Sequence, residues 1–374
     1  MNSSAKATRT LKRLAPRGVS VVGGFVALTL GLVVTAAAAL SLGTAEPANF
    51  AAGVQNPSPD SYLSTVSCPS EGNCVSFGKF KNAAGFYDAY TMTSSGGVWG
   101  TASPIVFAPG VQNSSTPLVN PNSLSCVSVG ECVAAGQFKN ADSPSFGFDS
   151  FVVSSSGGVW GTATPVSFGA GVQSTPPSSA IFGVSCSSAG NCSAVGRFRT
   201  PALANEGFVV SSSGGVWGTA TPLSFGAGVQ NASPDVWPFG VSCSSNGNCS
   251  AVGWFMNAAG DKEGFVVSST GGVWGTATAL SFGAGVQNAS PDDYLAGVSC
   301  ASAGNCTAVG QFRNAAGDYE GFALRAGTVT TEAPTNGPPN LPATGRDVDD
   351  VLRIGLACSI VGALLVVRRR RTPA

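Results

Sequence analysis

Trp274-Gly275-Thr276-Ala277-Thr278-Ala279-Leu280-Ser281-Phe282 alternates large and small residues without a break. Side chains on a strand point to opposite faces in turn. Trp274, Thr276, Thr278, Leu280 and Phe282 therefore share one face, and Gly275, Ala277, Ala279 and Ser281 the other. The small face lets a neighbouring sheet pack closely. Just upstream, Gly271-Gly272 supplies the positive φ angles of a tight hairpin. Working back from that hairpin, three more strands precede this one, which is strand D. They are strand C near Glu263–Ser268, strand B near Cys249–Met256 and strand A near Phe239–Cys243, joined by turns at Asn257–Asp261 and Asn246-Gly247. Phe239 to Phe282 is thus one four-stranded antiparallel unit.

The unit recurs. Cysteine pairs with five intervening residues stand at Cys68/Cys74, Cys126/Cys132, Cys186/Cys192, Cys243/Cys249 and Cys300/Cys306, with first cysteines 58, 60, 57 and 57 residues apart. Trp99, Trp160, Trp217 and Trp274 keep nearly the same period, as do Phe50, Phe107, Phe168, Phe225 and Phe282, each of which opens a segment ending in Gly-Val-Gln. A period of this length indicates an array or a propeller. Five four-stranded units predict an all-β chain folded as a five-bladed β-propeller, with an open β array as the alternative. The fifth repeat ends near Leu324 without a W-G-T-A-T strand, whereas Gly43-Thr44-Ala45 aligns with Gly275-Thr276-Ala277. Leu42–Phe50 is therefore expected to close the ring beside Gly321–Leu324, which would remove the open sheet edges.

Composition narrows the function. Fifty glycines and only 10% charged residues suit short strands and tight turns, with little amphipathic helical pattern. The formal net charge of zero hides a separation. Residues 40–344 carry 8 basic and 16 acidic residues, a balance of 8 − 16 = −8. An acidic body of this kind is not built for nucleic acid. There is no histidine, so no Ser-His or Cys-His nucleophile can form. The ten paired cysteines read as five disulfides, each within its own repeat, in an exported protein. The other use of such pairs, metal binding, lacks the usual zinc spacing. No metal and no cofactor is expected.

The two ends point to export and anchoring. Lys6, Arg9, Lys12, Arg13 and Arg17 precede a largely apolar stretch from Val21 to Leu40, with small residues at Ala36–Ala39. Residues 1–39 read as a secretory signal peptide; a retained N-terminal membrane helix is the alternative. At the far end stand Leu341, Pro342, Ala343, Thr344 and Gly345, then the 17-residue apolar run 351–367 and the basic end 368–374 with Arg368–Arg371. The run is at the short limit for a membrane span, with the arginines on the cytoplasmic side. In this order, the three elements resemble the cell-wall sorting signal of Gram-positive surface proteins. The resemblance implies that sortase cleaves between Thr344 and Gly345 and joins Thr344 to peptidoglycan. It places the protein at the cell wall, touching the membrane only through the tail before sorting. A plain membrane anchor is the alternative. Residues 40–327 are then the exposed repeat body, and 328–340, rich in Thr and Pro, the spacer through the wall. Ser213-Gly214-Gly215-Val216-Trp217 weakly resembles the Asp-box turn of sialidase-like propellers. It lacks the Asp and shortens the Gly-to-Trp spacing, so it supports a propeller hairpin and not a sialidase.

Several recurring side chains are candidates for a site. Asp88, Asp149, Glu206, Glu263 and Glu320 recur once per repeat, and Lys81, Lys139, Arg199 and Arg313 flank the same hairpin. Cross-strand ion pairs are expected there. Glycoside hydrolysis needs two carboxyls at a single site, so an enzyme is not expected. Gln55, Gln112, Gln173, Gln230 and Gln287 are expected to cap turns. The ligand candidates are Asp60 with Tyr62, Asp235 with Trp237, and Asp292 with Tyr294, where an aromatic face can stack on a sugar and a carboxylate can accept its hydroxyls. The body is read as a binding or adhesion module for a glycan or protein ligand, with a structural coat as the alternative.

Overall fold

A computed structural model describes residues 44–113, 115–141 and 147–326. The leader, the spacer, the sorting motif, the apolar run and the basic tail lie outside the described residues. Within them the chain is all-β, with no helix.

Strands A, B and C form in all five repeats. They are Ser61–Ser70, Asn73–Lys81 and Tyr87–Ser95 in the first; Val119–Ser128, Glu131–Lys139 and Phe148–Ser156 in the second; Ser179–Ser188, Asn191–Arg199 and Asn205–Ser213 in the third; Val236–Ser245, Asn248–Met256 and Lys262–Thr270 in the fourth; and Tyr294–Ser302, Asn305–Arg313 and Tyr319–Ala326 in the fifth. Each trio is an antiparallel sheet in the order A-B-C. Five disulfides, Cys68–Cys74, Cys126–Cys132, Cys186–Cys192, Cys243–Cys249 and Cys300–Cys306, join A to B within each repeat, as the spacing predicts.

Strand D is not the single unit its alternation suggests. It breaks into Val273–Trp274, paired with the end of strand C, and Thr276–Ala279, paired further back with Phe265 and Val266. Phe282 then leaves the sheet and enters the next repeat, where it packs on Phe312 and Phe322 with ring centroids 4.5 and 5.2 Å away. The same three-ring core recurs. Phe225 meets Phe255 and Phe265, Phe168 meets Phe198 and Phe208, Phe107 meets Phe138 and Phe151, and Phe50 meets Phe80 and Tyr90. Burial of such rings, with edge-to-face contacts among them, is the main apolar contribution of each repeat.

This arrangement corrects the expected ring closure. Phe50 forms a parallel bridge with Ala102, and the Asn49 carbonyl accepts the Ala102 N–H. Ala48–Phe50 thus belongs to the first repeat and not beside Gly321–Leu324. Thr44–Pro47, part of a separate N-terminal unit, forms no strand, and Leu42 and Gly43 lie outside the described residues. Among the described residues strand C of the fifth repeat pairs only with strand B, and no closed sheet forms. The aligned segment of the fourth repeat shows why Phe50 was misplaced: Thr276–Ala279 pairs within its own repeat, whereas Phe282 packs in the next.

Successive repeats stack through their A strands. One hydrogen bond recurs at every junction. The serine before the first cysteine accepts the N–H of the next repeat's first cysteine: Ser67 from Cys126, Ser125 from Cys186, Ser185 from Cys243 and Ser242 from Cys300, at 2.9 to 3.1 Å. A second device ties both hairpin turns of a repeat together. The Gly272 N–H donates to the Gly247 carbonyl at 2.9 Å, and Gly97 to Gly72, Gly158 to Gly130 and Gly215 to Gly190 do the same.

Candidate functional site

Most of the recurrent acids accept hydrogen bonds from side-chain amides. Asp88 lies opposite Phe80 and not Lys81, because the register places Lys81 opposite Tyr87. Its carboxylate accepts from Asn82 Nδ2 at 2.7 Å and Gln112 Nε2 at 3.5 Å. Asp149 accepts from Asn140 at 2.9 Å and Gln173 at 3.3 Å. Gln112 and Gln173 therefore hold a carboxylate of the preceding repeat instead of capping backbone. Burial pushes the Glu206 carboxyl up. It does the same at Glu263, opposed by a bond from Asn257. Among the described residues the one salt bridge is Lys262–Asp292 at 3.4 Å, which crosses from the fourth repeat to the fifth.

The three ligand candidates all sit at the start of strand A, on the same edge of the stack. Their carboxylates are engaged. Asp60 accepts from the Tyr87 hydroxyl and Asp292 from the Tyr319 hydroxyl. That bond holds the Asp292 carboxyl below its usual range, burial opposes it, and Lys262 adds to it. Asp235 Oδ1 accepts from Trp237 Nε1 at 2.9 Å and from Asn205 Nδ2 at 3.2 Å.

The aromatics differ from one another. Tyr62 is 47% exposed, with Lys79 Nζ 5.2 Å from its ring centre and 5.0 Å from that of Tyr87. Trp237 is not a lone platform. It stacks on Phe182 at 5.7 Å and Trp254 at 6.0 Å, and the Arg197 guanidinium lies 3.6 Å from its ring centre. Lys262 Nζ stands 5.0 Å from Trp254, and Tyr294 meets Phe239 edge-on at 6.1 Å. Burial pulls the Arg197 guanidinium down, and Asp235 opposes that. The result is a row of rings and cations crossing the third, fourth and fifth repeats.

A bulge aims this row. In the fourth repeat the A–B register slips between Pro238 and Gly240. The slip puts the Trp237 carbonyl oxygen 2.1 Å from where a Cβ on Gly253 would stand, so no side chain fits there. Bulges of this kind re-aim neighbouring side chains. Phe182, Arg197, Trp254 and Lys262 were not among the residues singled out from sequence. One signal was present: the fifth position after the second cysteine holds Lys79, Gln137, Arg197, Trp254 and Gln311. Its neighbour one residue on is Phe in every repeat. A position that varies between such fixed ones faces outward.

Among the described residues no cluster of three or more His, Cys, Asp or Glu is placed to hold a metal ion, and no helix is long and apolar enough to cross a membrane.

No family model matches the sequence, and no curated protein matches it. Solved structures give remote likenesses. Hadza microbial sialidase Hz136 aligns at 11% identity over 66% of this chain and 55% of its own, TM-score 0.40. A Penicillium chrysogenum alpha-L-arabinanase complexed with arabinobiose aligns at 13% identity over 71% and 76%, TM-score 0.41. A protein of unknown function from Dyadobacter fermentans aligns at 11% identity over 74% and 84%, TM-score 0.43. The chain spans about half the length of the sialidase. The chemistry of the site rests on this chain's own residues.

Proposed function

We propose that this is a wall-anchored surface protein whose five repeats act as the blades of an open propeller and bind a glycan along the cation–aromatic row. The observation that carries the binding reading is the Phe182–Trp237–Trp254 stack edged by Arg197, Asp235 and Lys262. Rings of this kind offer C–H-binding faces to a sugar, and the flanking guanidinium, ammonium and carboxylate groups exchange hydrogen bonds with its hydroxyls. The row is pre-stacked, so little side-chain order is lost on binding. Asp88, Asp149, Glu263 and Glu320 are already held by Asn or Gln, which suits a scaffold more than an acid–base pair. The anchoring half of the proposal rests on Leu341–Gly345, the apolar run and the four arginines, with sortase and peptidoglycan as partners.

The test is a glycan array probed with the full chain. Trp254→Ala should weaken any captured glycan about tenfold, given roughly 1 to 2 kcal/mol for a lost stacking face. Unchanged capture by Trp254→Ala, or no capture of any glycan, would remove the row as the binding site.

A further inference from the structure

Every junction between repeats has two halves, and among the described residues the first and fifth repeats each have one half unmated. The leading half presents the residue three after the second cysteine and the serine before the first. The trailing half presents the apolar residues of the next strand A and the first cysteine's N–H. Phe77 packs with Val119 and Leu124, Ala135 with Ile181 and Val184, Val195 with Val236, and Val252 with Leu295. All four leading residues are fully buried.

Among the described residues, the trailing half of the first repeat is uncovered. Leu63 is 46% and Val66 57% exposed, whereas their counterparts Ile181 and Leu295 are 0% and Leu124 and Val184 under a tenth exposed. The fifth repeat has a leading half in the same condition. Val309 is 49% exposed where Phe77, Ala135, Val195 and Val252 are 0%. Ser299, which stands where Ser67, Ser125, Ser185 and Ser242 stand, is exposed. Both faces being open, the two do not meet within one chain.

We propose that the Leu63–Val66 face of one molecule docks on the Val309–Ser299 face of a second copy, head to tail. The complementarity is not conjectured from shape, since the same two halves are mated four times inside each chain. The partner is a second copy because it carries, open at the other end of its repeats, the half that mates with this one inside the chain. Such an interface is heterologous, so copies either run on as a filament or close as a ring of several chains. This inference rests on the fold and is independent of glycan binding.

Cysteine pairing tests it. Full-length chains carrying Leu63→Cys or Val309→Cys, each with Cys358→Ser to remove the tail thiol, are mixed and oxidised with copper–phenanthroline in air. Each bond takes two protons and two electrons from a thiol pair, with oxygen as the final acceptor. Non-reducing gels should show a covalent dimer in the mixture and not in either variant alone. The chain carrying both substitutions should give a ladder of multimers. Val252→Cys with Leu295→Cys, the mated internal counterpart, should bond within one chain and shows that the geometry supports the link. A cross-linked monomer from the double variant would mean that the chain closes on itself and would overturn the proposal. So would the absence of a mixture-specific dimer while the internal control bonds. As a second readout, Val309→Lys should raise the dissociation constant in sedimentation velocity by at least about tenfold, the effect of one charge against an apolar face. No change would count against docking there.

Discussion

At the scale of single residues, two glycines with nearly the same backbone separate strain from crowding. Gly247 has φ 74° and Gly304 φ 73°. A Cβ on Gly247 would stand 2.4 Å from the Gly272 nitrogen, whereas one on Gly304 meets nothing within 4 Å. Gly304→Ala should therefore cost only the left-handed penalty, about 1 kcal/mol. Gly247→Ala adds a forced backbone shift and should cost about 2 to 3 kcal/mol. Hydrogen exchange of the strand A and B amides in each repeat measures the difference. Asp293 is a second residue with a legible consequence. It is fully buried, accepts from the Gly264 N–H at 2.6 Å and from Gln287, and burial pushes its carboxyl up to about 6, with Glu263 and Asp292 adding to the rise. A carboxyl raised in the folded state favours folding while protonated and loses that contribution as pH rises through about 6. The loss is at most about 3 kcal/mol. Asp293→Asn should thus melt higher than the parent at pH 8 and close to it at pH 4. A gap independent of pH would show that Asp293 does not titrate in this range. The sequence displayed Asp292 and Asp293 side by side, but nothing in the alternation said which one turned inward.

At the scale of the element, strands A to C were legible because each is a half-buried run bounded by turns that contain glycine. Strand D was not, because period-2 alternation persists through a segment that changes partners twice. Alternation reports which way a side chain points, and carries no information about which sheet receives it. The misplaced Phe50 follows from this. Phe50 sits between Phe80 and Tyr90. Phe50→Ala should cost about 3 to 4 kcal/mol of local stability. The prediction is faster amide exchange in Asn73–Lys81 and Tyr87–Ser95, with Tyr319–Leu324 unchanged. Faster exchange confined to the fifth repeat would restore the ring-closing role for this segment.

At the scale of the whole molecule, five units each stacked on the next behave as a quasi-linear array, whose stability is a sum of repeats and junctions. Each interior repeat has two junctions and each terminal repeat one, so opening should begin at the ends. In the candidate site, the sequence singled out Asp235 and Trp237, and did not show the contacts of Arg197 and Phe182 with Trp237 because those two come from a different repeat. Contacts across a junction are 50 to 60 residues apart in sequence and leave no local pattern. The anchoring expectation belongs to the whole chain too. Thr344→Ala should leave the protein in the membrane fraction with its C-terminal tail intact, scored by fractionation and tail-specific blotting. Wall linkage equal to that of the parent would rule out processing at Thr344–Gly345.

The phenylalanine that crosses each junction sets where the chain can be cut and rejoined. A segment bounded by cysteine pairs leaves one ring of its core behind in its neighbour. A segment from Gly226 through Phe282 instead brings the whole of strands A to D and hands its last ring forward. Duplicating that stretch should lengthen the protein by one complete unit, and excising it should shorten it by one, with every aromatic trio still whole. Copy number could then drift by recombination without ever producing a chain that has a hole in it.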